Sequence, residues 1–221
     1  MCDAHAHGLP ALAADEWALD SPRVREFVAQ MRGAIAAASS PAAACAALAP
    51  GFAALLADED WLPERFQQPV PGSGMGGGIG QWLLFRAADR SLCLFSLVVP
   101  SGSMTPIHDH LAWGLVGLYR GAQDEEFYAP GAGTIECTRR RPLAPGEHYA
   151  LLPPHDDVHR VRTTSPQTSV SIHLLANDTG CVSRHTFDER TGAAAPFVSG
   201  YVNAECAAPG RAVTNAERPA R

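Results

Sequence analysis

Thr105-Pro-Ile-His-Asp-His-Leu-Ala-Trp-Gly-Leu-Val-Gly-Leu-Tyr-Arg120 holds two β-type runs parted by a short break, with His108 and His110 in the first. Alternate side chains of an extended chain share a side, so both imidazoles can converge on one ion while Asp109 faces away. Neutral imidazole is a common ligand of divalent iron, zinc, copper and nickel. Taken alone, His-x-His fits two unrelated histidines just as well. The surrounding chain supplies the context. Short β-type runs follow one another at 81–86, 91–99, 107–111, 114–120, 125–128, 134–138, 148–152, 158–162, 168–175 and 182–187. Turn residues such as Pro100-Ser101-Gly102, Pro130-Gly131 and Pro145-Gly146 separate them. Many short strands at close spacing predict a sandwich or barrel rather than alternating β-α units.

Upstream the character differs. From Ser21 to about Leu56 the chain is Ala-rich and poor in β-branched residues. Ser21-Pro22 and Ser40-Pro41 each read as an N-cap followed by proline at the first helical position. Val24, Phe27, Val28, Met31 and Ile35 recur at helical spacing and predict a face that packs on something. The second helix is expected to end near Gly51, with a third short one over 52–56. Residues 72–80 are a glycine-rich break, Gly72-Ser-Gly-Met-Gly-Gly-Gly-Ile-Gly80. No Lys-Ser/Thr follows it and a strand comes next, so it reads as a connector and not a phosphate loop. The expected division is a helical preface at 1–60 packed on the barrel, a β domain at 61–203 and a polar tail at 204–221.

With 46% hydrophobic and 18% charged residues, the chain has the composition of a soluble globule. Its net charge of −6 is spread along the sequence, and the densest basic cluster is Arg139-Arg140-Arg141. That triplet is too short for a nucleic-acid track and reads as a solvated strand end. No segment approaches the roughly 20 apolar residues of a membrane span. Residues 1–10 lack a cationic flank followed by an apolar run, so they do not read as a secretory signal. The six cysteines show neither C-x-x-C spacing nor framework density and read as reduced thiols in a cytoplasm.

A third ligand is offered by His159, which follows a turn and leads into a strand. His155 and His148 are its rivals, the first nearer the turn. The run Thr105-Pro-Ile-His-Asp-His, with Trp113-Gly and Gly121, resembles the first cupin motif of the cysteine dioxygenase type I group. The nearer likeness is to the bacterial thiol dioxygenases, which include 3-mercaptopropionate dioxygenases. His159-Arg-Val followed by Ser171-Ile-His173 is similar to the second motif. The stretch Arg184-His-Thr-Phe-Asp, Thr191-Gly and Pro196-Phe-Val-Ser-Gly-Tyr also looks like that branch. The likeness runs from about Trp61 to Asn203.

The resemblance implies an all-β cupin fold, a double-stranded β-helix or jelly-roll barrel with an N-terminal helical preface. It implies Fe(II) held by His108, His110 and His159, and a reaction that puts both atoms of O2 on the sulfur of a small thiol. The usual cupin glutamate has no counterpart among Leu111, Ala112, Trp113, Gly114 and Leu115, which fits the all-histidine set of that family. Such a set leaves the ion its full charge. On the strand at 168–175, Ser169, Ser171, His173 and Leu175 alternate with Val170, Ile172 and Leu174. Ser171 and His173 match the first two members of the family's Ser-x-His-x-Tyr chain, while Leu175 stands where tyrosine is expected. A leucine there cannot donate a hydrogen bond and puts in doubt cysteine or 3-mercaptopropionate as substrate. The family's cysteine–tyrosine cross-link is also ruled out, because Gly114 and Leu115 occupy the cysteine's region.

Gln81 aligns with the family's Arg or Gln that reads the substrate's polar group, and Arg184 with an arginine that pairs with its carboxylate. A capping glutamine and a surface salt bridge with Asp188 are the plainer alternatives. Trp113 and Tyr128 are further candidates for the pocket wall, or for core. Two other functions remain open at this point. One is a three-histidine dioxygenase acting on a carbon substrate such as a β-dicarbonyl; the other is a non-catalytic metal-binding cupin.

Overall fold

In the computed structural model the chain forms two facing six-stranded antiparallel sheets with two helices against one of them. The structure describes residues 9–71, 74–131 and 133–206. The readings of the extreme N-terminus and of the tail beyond Cys206 fall outside these residues.

The strands are β1 (Glu16–Trp17), β2 (Gly80–Arg86), β3 (Cys93–Val99), β4 (Ile107–His108), β5 (Gly114–Arg120), β6 (Gln123–Gly131), β7 (Thr134–Leu143), β8 (His148–Leu151), β9 (His159–Thr163), β10 (Ser169–Leu175), β11 (Arg184–Phe187) and β12 (Ala194–Phe197). One sheet has the order β1-β2-β3-β10-β5-β8 and the other β12-β11-β4-β9-β6-β7. This is the double-stranded β-helix of a cupin. The expected runs correspond to strands, with two additions, β1 and β12, both too short or too proline-bearing to stand out in the sequence.

Helix α1 (Pro22–Ala37) begins where expected, with Ser21 Oγ accepting from the Val24 N–H. Helix α2 (Pro41–Ala57) is capped in the same way by Ser40 Oγ and the Ala43 N–H. It does not stop near Gly51 but continues through Pro50. Its buried residues Ala44, Cys45, Leu48, Phe52, Leu55 and Leu56 form one unbroken apolar face, and packing of that face outweighs the lost N–H of one proline. The face lies on the outer side of the first sheet. Gly117 lets it approach, since a Cβ there would stand 2.5 Å from Leu56 Cδ1. Val170, Ile172 and Leu174 of β10 share this cluster with both helices.

The opposite side chains of β10 point into the barrel. Register places Ser171, His173 and Leu175 opposite Leu97, Phe95 and Cys93 of β3. Two interior clusters result, one around Phe95, Leu97, Val161 and Leu175, the other around Phe127, Leu151 and Tyr149. Burying each such side chain contributes about 1.5–3 kcal/mol. Arg139, Arg140 and Arg141 lie on β7, where Arg139 covers the Phe127 ring at 4.1 Å and pairs with Asp156 at 2.9 Å.

The cysteines require a correction. Cys181 and Cys206 form a disulfide, while Cys45, Cys93 and Cys137 are free. Uniform reduction, and the reducing compartment inferred from it, therefore lose their ground. The residues meet because the chain after β12 returns to the first sheet. There Asn203 Nδ2 donates to Leu83 O and Arg86 Nη2 donates to Glu205 O. No helix among the described residues is long and apolar enough to cross a membrane.

Candidate metal centre

His108 ends β4 and pairs in register with His159 at the start of β9. His110 lies two residues past the end of β4, so alternation along a strand does not place it. Asp157 does. Its Oδ1 accepts from the His110 N–H at 2.9 Å and its Oδ2 from the Leu111 N–H at 3.2 Å. The chain turns sharply at that clamp, with Leu111 at φ 53°. His108, His110 and His159 then stand with ring centroids 4.7–4.9 Å apart, all buried, and with potential ligand nitrogens within 4.8 Å of one another. The rivals lie elsewhere. His155 is exposed, and His148 packs edge-on against Phe52 of α2 at 5.8 Å.

Each ring is held from behind through Nδ1. His108 Nδ1 is 2.9 Å from Pro106 O, His110 Nδ1 is 3.3 Å from Asp157 Oδ1, and His159 Nδ1 is 3.3 Å from the Tyr149 hydroxyl, with Glu125 Oε2 beside it at 2.9 Å. This leaves the three Nε2 atoms as the ones available to an ion. His159 Nε2 is buried with no hydrogen-bond partner, as an atom reserved for a metal would be. Burial pushes the His108 imidazole well below its ordinary value, with the neighbouring His159 adding to the effect, and burial also lowers His110. Both rings are therefore neutral, the form that coordinates metals. The donor set, its burial and the outer hydrogen bonds fit a divalent transition metal.

Glu125 went unrecognised in the sequence, where only the strand beginning at 125 was read. It is fully buried on β6, opposite Val161. The expectation that an ion would keep its full charge here needs correction to that extent. No carboxylate completes the set of three histidines, but Glu125 and Asp157 stand directly behind two of them, and Asp157 offsets part of an ion's charge. For Asp157 burial would raise the carboxyl, yet the hydrogen bonds from His110 and the two backbone N–H groups hold it below the ordinary carboxylate range.

The cavity in front of the rings is closed on its polar side by Gln81, His173, Thr179 and Arg184, and on its apolar side by Met75, Phe95 and Leu97. Ser171 Oγ is 3.0 Å from His173 Nε2, and Phe95 stacks on that imidazole at 4.7 Å. His173 Nδ1 and Gln81 Nε2 are buried without partners. Burial pushes His173 well below its ordinary value, so it too is neutral.

Arg184 is 1% exposed, which removes the surface salt bridge with Asp188 from consideration. Asp188 instead accepts hydrogen bonds from Arg190 and Thr191 in the turn after β11. The Arg184 guanidinium donates to Thr179 O, Asp109 O and Ser199 Oγ, three of its five N–H groups. It has no ion-pair partner among the described residues. Burial pulls it down to about 10, still charged at neutral pH.

Three candidates lie off this cavity. Trp113 packs with the helices on the outer side of the first sheet, beside Arg32 and Ile35, so it does not line the histidine cavity. Tyr128 donates to Glu126 Oε2 at 2.9 Å on the other sheet. Leu175 does face inward, but into the cluster with Phe95, Val161 and Ala112, fully buried. Ser171, His173, Gln81 and Arg184 do come together with the three ligand candidates.

Fold and site together define a double-stranded β-helix with three buried histidines that could hold a metal ion. No protein-family model matches the chain. Solved structures that it resembles include a double-stranded β-helix protein from Klebsiella pneumoniae, 10% identical with a TM-score of 0.41, over 61% of this chain and 92% of that one. A cupin domain of a transcriptional regulator from Enterobacter cloacae is 17% identical with a TM-score of 0.34, over 44% and 94%. KdgF from a Halomonas species is 19% identical with a TM-score of 0.36, over 50% and 85%. These likenesses extend to the fold alone, and the roles of those proteins do not transfer.

Proposed function

We propose that this protein is a non-haem iron(II) thiol dioxygenase, which converts a small carboxylate-bearing thiol and O2 to a sulfinate. One observation carries the reading. A buried guanidinium with no acidic partner among the described residues shares a closed cavity with His108 and His110, two of the three buried imidazoles arranged to hold an ion. A buried cation is costly unless an anion comes to meet it. The motif resemblance supports the choice of a thiol and of iron.

A metal ion at the three Nε2 atoms would supply a Lewis-acidic, redox-active centre where a thiol binds as thiolate. The chain's own residues do the remainder. Arg184 has two N–H groups left for the carboxylate and suits its two oxygens. Gln81 offers an amide donor beside it. His173, fixed by Ser171 and by stacking on Phe95, presents Nδ1 to the cavity as a hydrogen-bonding group. Phe95, Leu97 and Met75 keep water out. In the overall reaction the S–H and O–O bonds break and two S–O bonds form. Sulfur supplies the electrons that dioxygen takes up, and the thiol proton ends on the sulfinic acid or in solvent, so no external reductant is required.

Oxygen uptake by the iron-loaded protein tests this across cysteine, cysteamine, mercaptosuccinate, 3-mercaptopropionate and aromatic thiols, with the product identified by mass. Sulfinate formation from an acidic thiol is the expected result. Uptake with a β-dicarbonyl and with no thiol would replace the proposal by carbon chemistry. Metal binding with no uptake at all would leave a non-catalytic cupin.

A further inference from the structure

The cavity beside the histidines has a free volume of about 10 Å³, roughly one water-sized probe. A mercapto acid of any branching needs more room. A second pocket of about 170 Å³ adjoins it, and Met75 and Gln81 line both. The outer pocket is walled by Val70 and Ile79 on one side and by Tyr201 and Val202 on the other. Its walls are therefore largely apolar, while the buried Gln81 Nε2, without a partner, sits at the boundary between the two spaces.

The glycine-rich run explains how these walls approach. A Cβ on Gly74 would stand 2.8 Å from Ser199 O, and Gly76, Gly77 and Gly78 have φ values of 72°, 58° and 76°. The facing wall is fixed to β2, because the Val202 N–H donates to Gln81 O at 2.8 Å and Asn203 Oδ1 accepts from the Leu83 N–H at 2.8 Å. What reads in the sequence as a connector is thus one side of a shaped pocket.

We infer that the outer pocket is a second substrate subsite, which takes an apolar or aromatic branch of the thiol while its sulfur and carboxylate reach the histidines and Arg184 through an inner cavity enlarged by movement of Met75. This rests on the thiol reading above and names the substrate class more closely: a mercapto acid carrying a branch of about phenyl size. An apolar protein cavity of about 150 Å³ accepts benzene, so the volume suffices. Met75 forms the partition, and an unbranched thioether side chain can change rotamer to join the two spaces.

The test compares 3-mercaptopropionate with 2-benzyl-3-mercaptopropionate, which share thiol and carboxylate and differ by a benzyl branch. Anaerobic calorimetry on the iron(II)-loaded protein reads binding without turnover. The benzyl compound should bind about 10-fold more tightly or better, as expected for moving a phenyl ring out of water. Val202→Trp, at a partly exposed position, should erase that ratio by filling the pocket, and Met75→Ala should widen it. Equal affinities in the wild type, or a ratio that neither variant changes, would overturn the subsite even if both thiols are oxidised. A clear ratio that responds to the variants, with no oxygen consumed, would leave the subsite standing and remove the dioxygenase reading. Binding of neither thiol would overturn both.

Discussion

The two walls of the histidine cavity are opposites. Behind the rings every Nδ1 has a hydrogen-bonding neighbour: Pro106 O, Asp157 Oδ1 and the Tyr149 hydroxyl. In front, Gln81 Nε2 and His173 Nδ1 have none, and Arg184 has more N–H groups than acceptors. At the rear the protein itself holds the ring nitrogens, although the buried Glu125 carboxyl beside His159 has no hydrogen-bond partner of its own. The front wall is rich in nitrogen and incomplete. Buried polar groups are almost always satisfied, so the unpartnered donors in front, beside the spare N–H groups of Arg184, mark the side that awaits a ligand.

That contrast breaks most visibly at the rings. Alanine at His108, His110 or His159 should abolish stoichiometric metal binding by elemental analysis while circular dichroism still reports the β fold. Any variant that keeps full metal content is not a ligand. His159→Ala should also be the least stable of the three to urea, because it removes the imidazole beside the buried, unpartnered Glu125 carboxyl. Glu125→Gln keeps the shape but not the charge, and metal affinity should fall roughly 10- to 100-fold. An unchanged affinity by competitive chelation would show that the rear carboxylate has no bearing on the ion.

On the front wall, Arg184→Ala should weaken an acidic thiol about 10-fold or more, the worth of a charge-assisted hydrogen bond. Metal content should stay the same; if the metal falls instead, Arg184 serves the rear wall. The smallest effect is expected at Leu175→Tyr. Adding a ring to a closed cluster should cost about 1–3 kcal/mol in urea unfolding. An unshifted thiol preference in that variant would remove position 175 from substrate choice.

Much of this was legible in the sequence. Proline after serine marked both helix starts, and short runs between turn residues marked most of the strands. His108 and His110 were legible as a pair, although the physical cause differs: a strand carries the first and the Asp157 clamp carries the second. Glu125 was not legible. It adjoins Glu126, and nothing local separates them, yet Glu126 faces outward to Arg140 and Arg160 while Glu125 faces His159. Only the pairing of β6 with β9 decides between them. Trp113 misled for the same reason, since its neighbours are set by helices far away in sequence. The Cys181–Cys206 bond joins residues 25 apart whose meeting depends on the return of the chain after β12.

That bond makes the wall formed by Ser199, Tyr201 and Val202 part of a covalent ring and not a loose end. A protease nick in the exposed turn around Arg190 would leave both fragments on one molecule until a reductant parted them. Closing a loop of this size is worth roughly 3 kcal/mol against unfolding. The chain can therefore be broken near its C-terminus and still keep that side of the pocket.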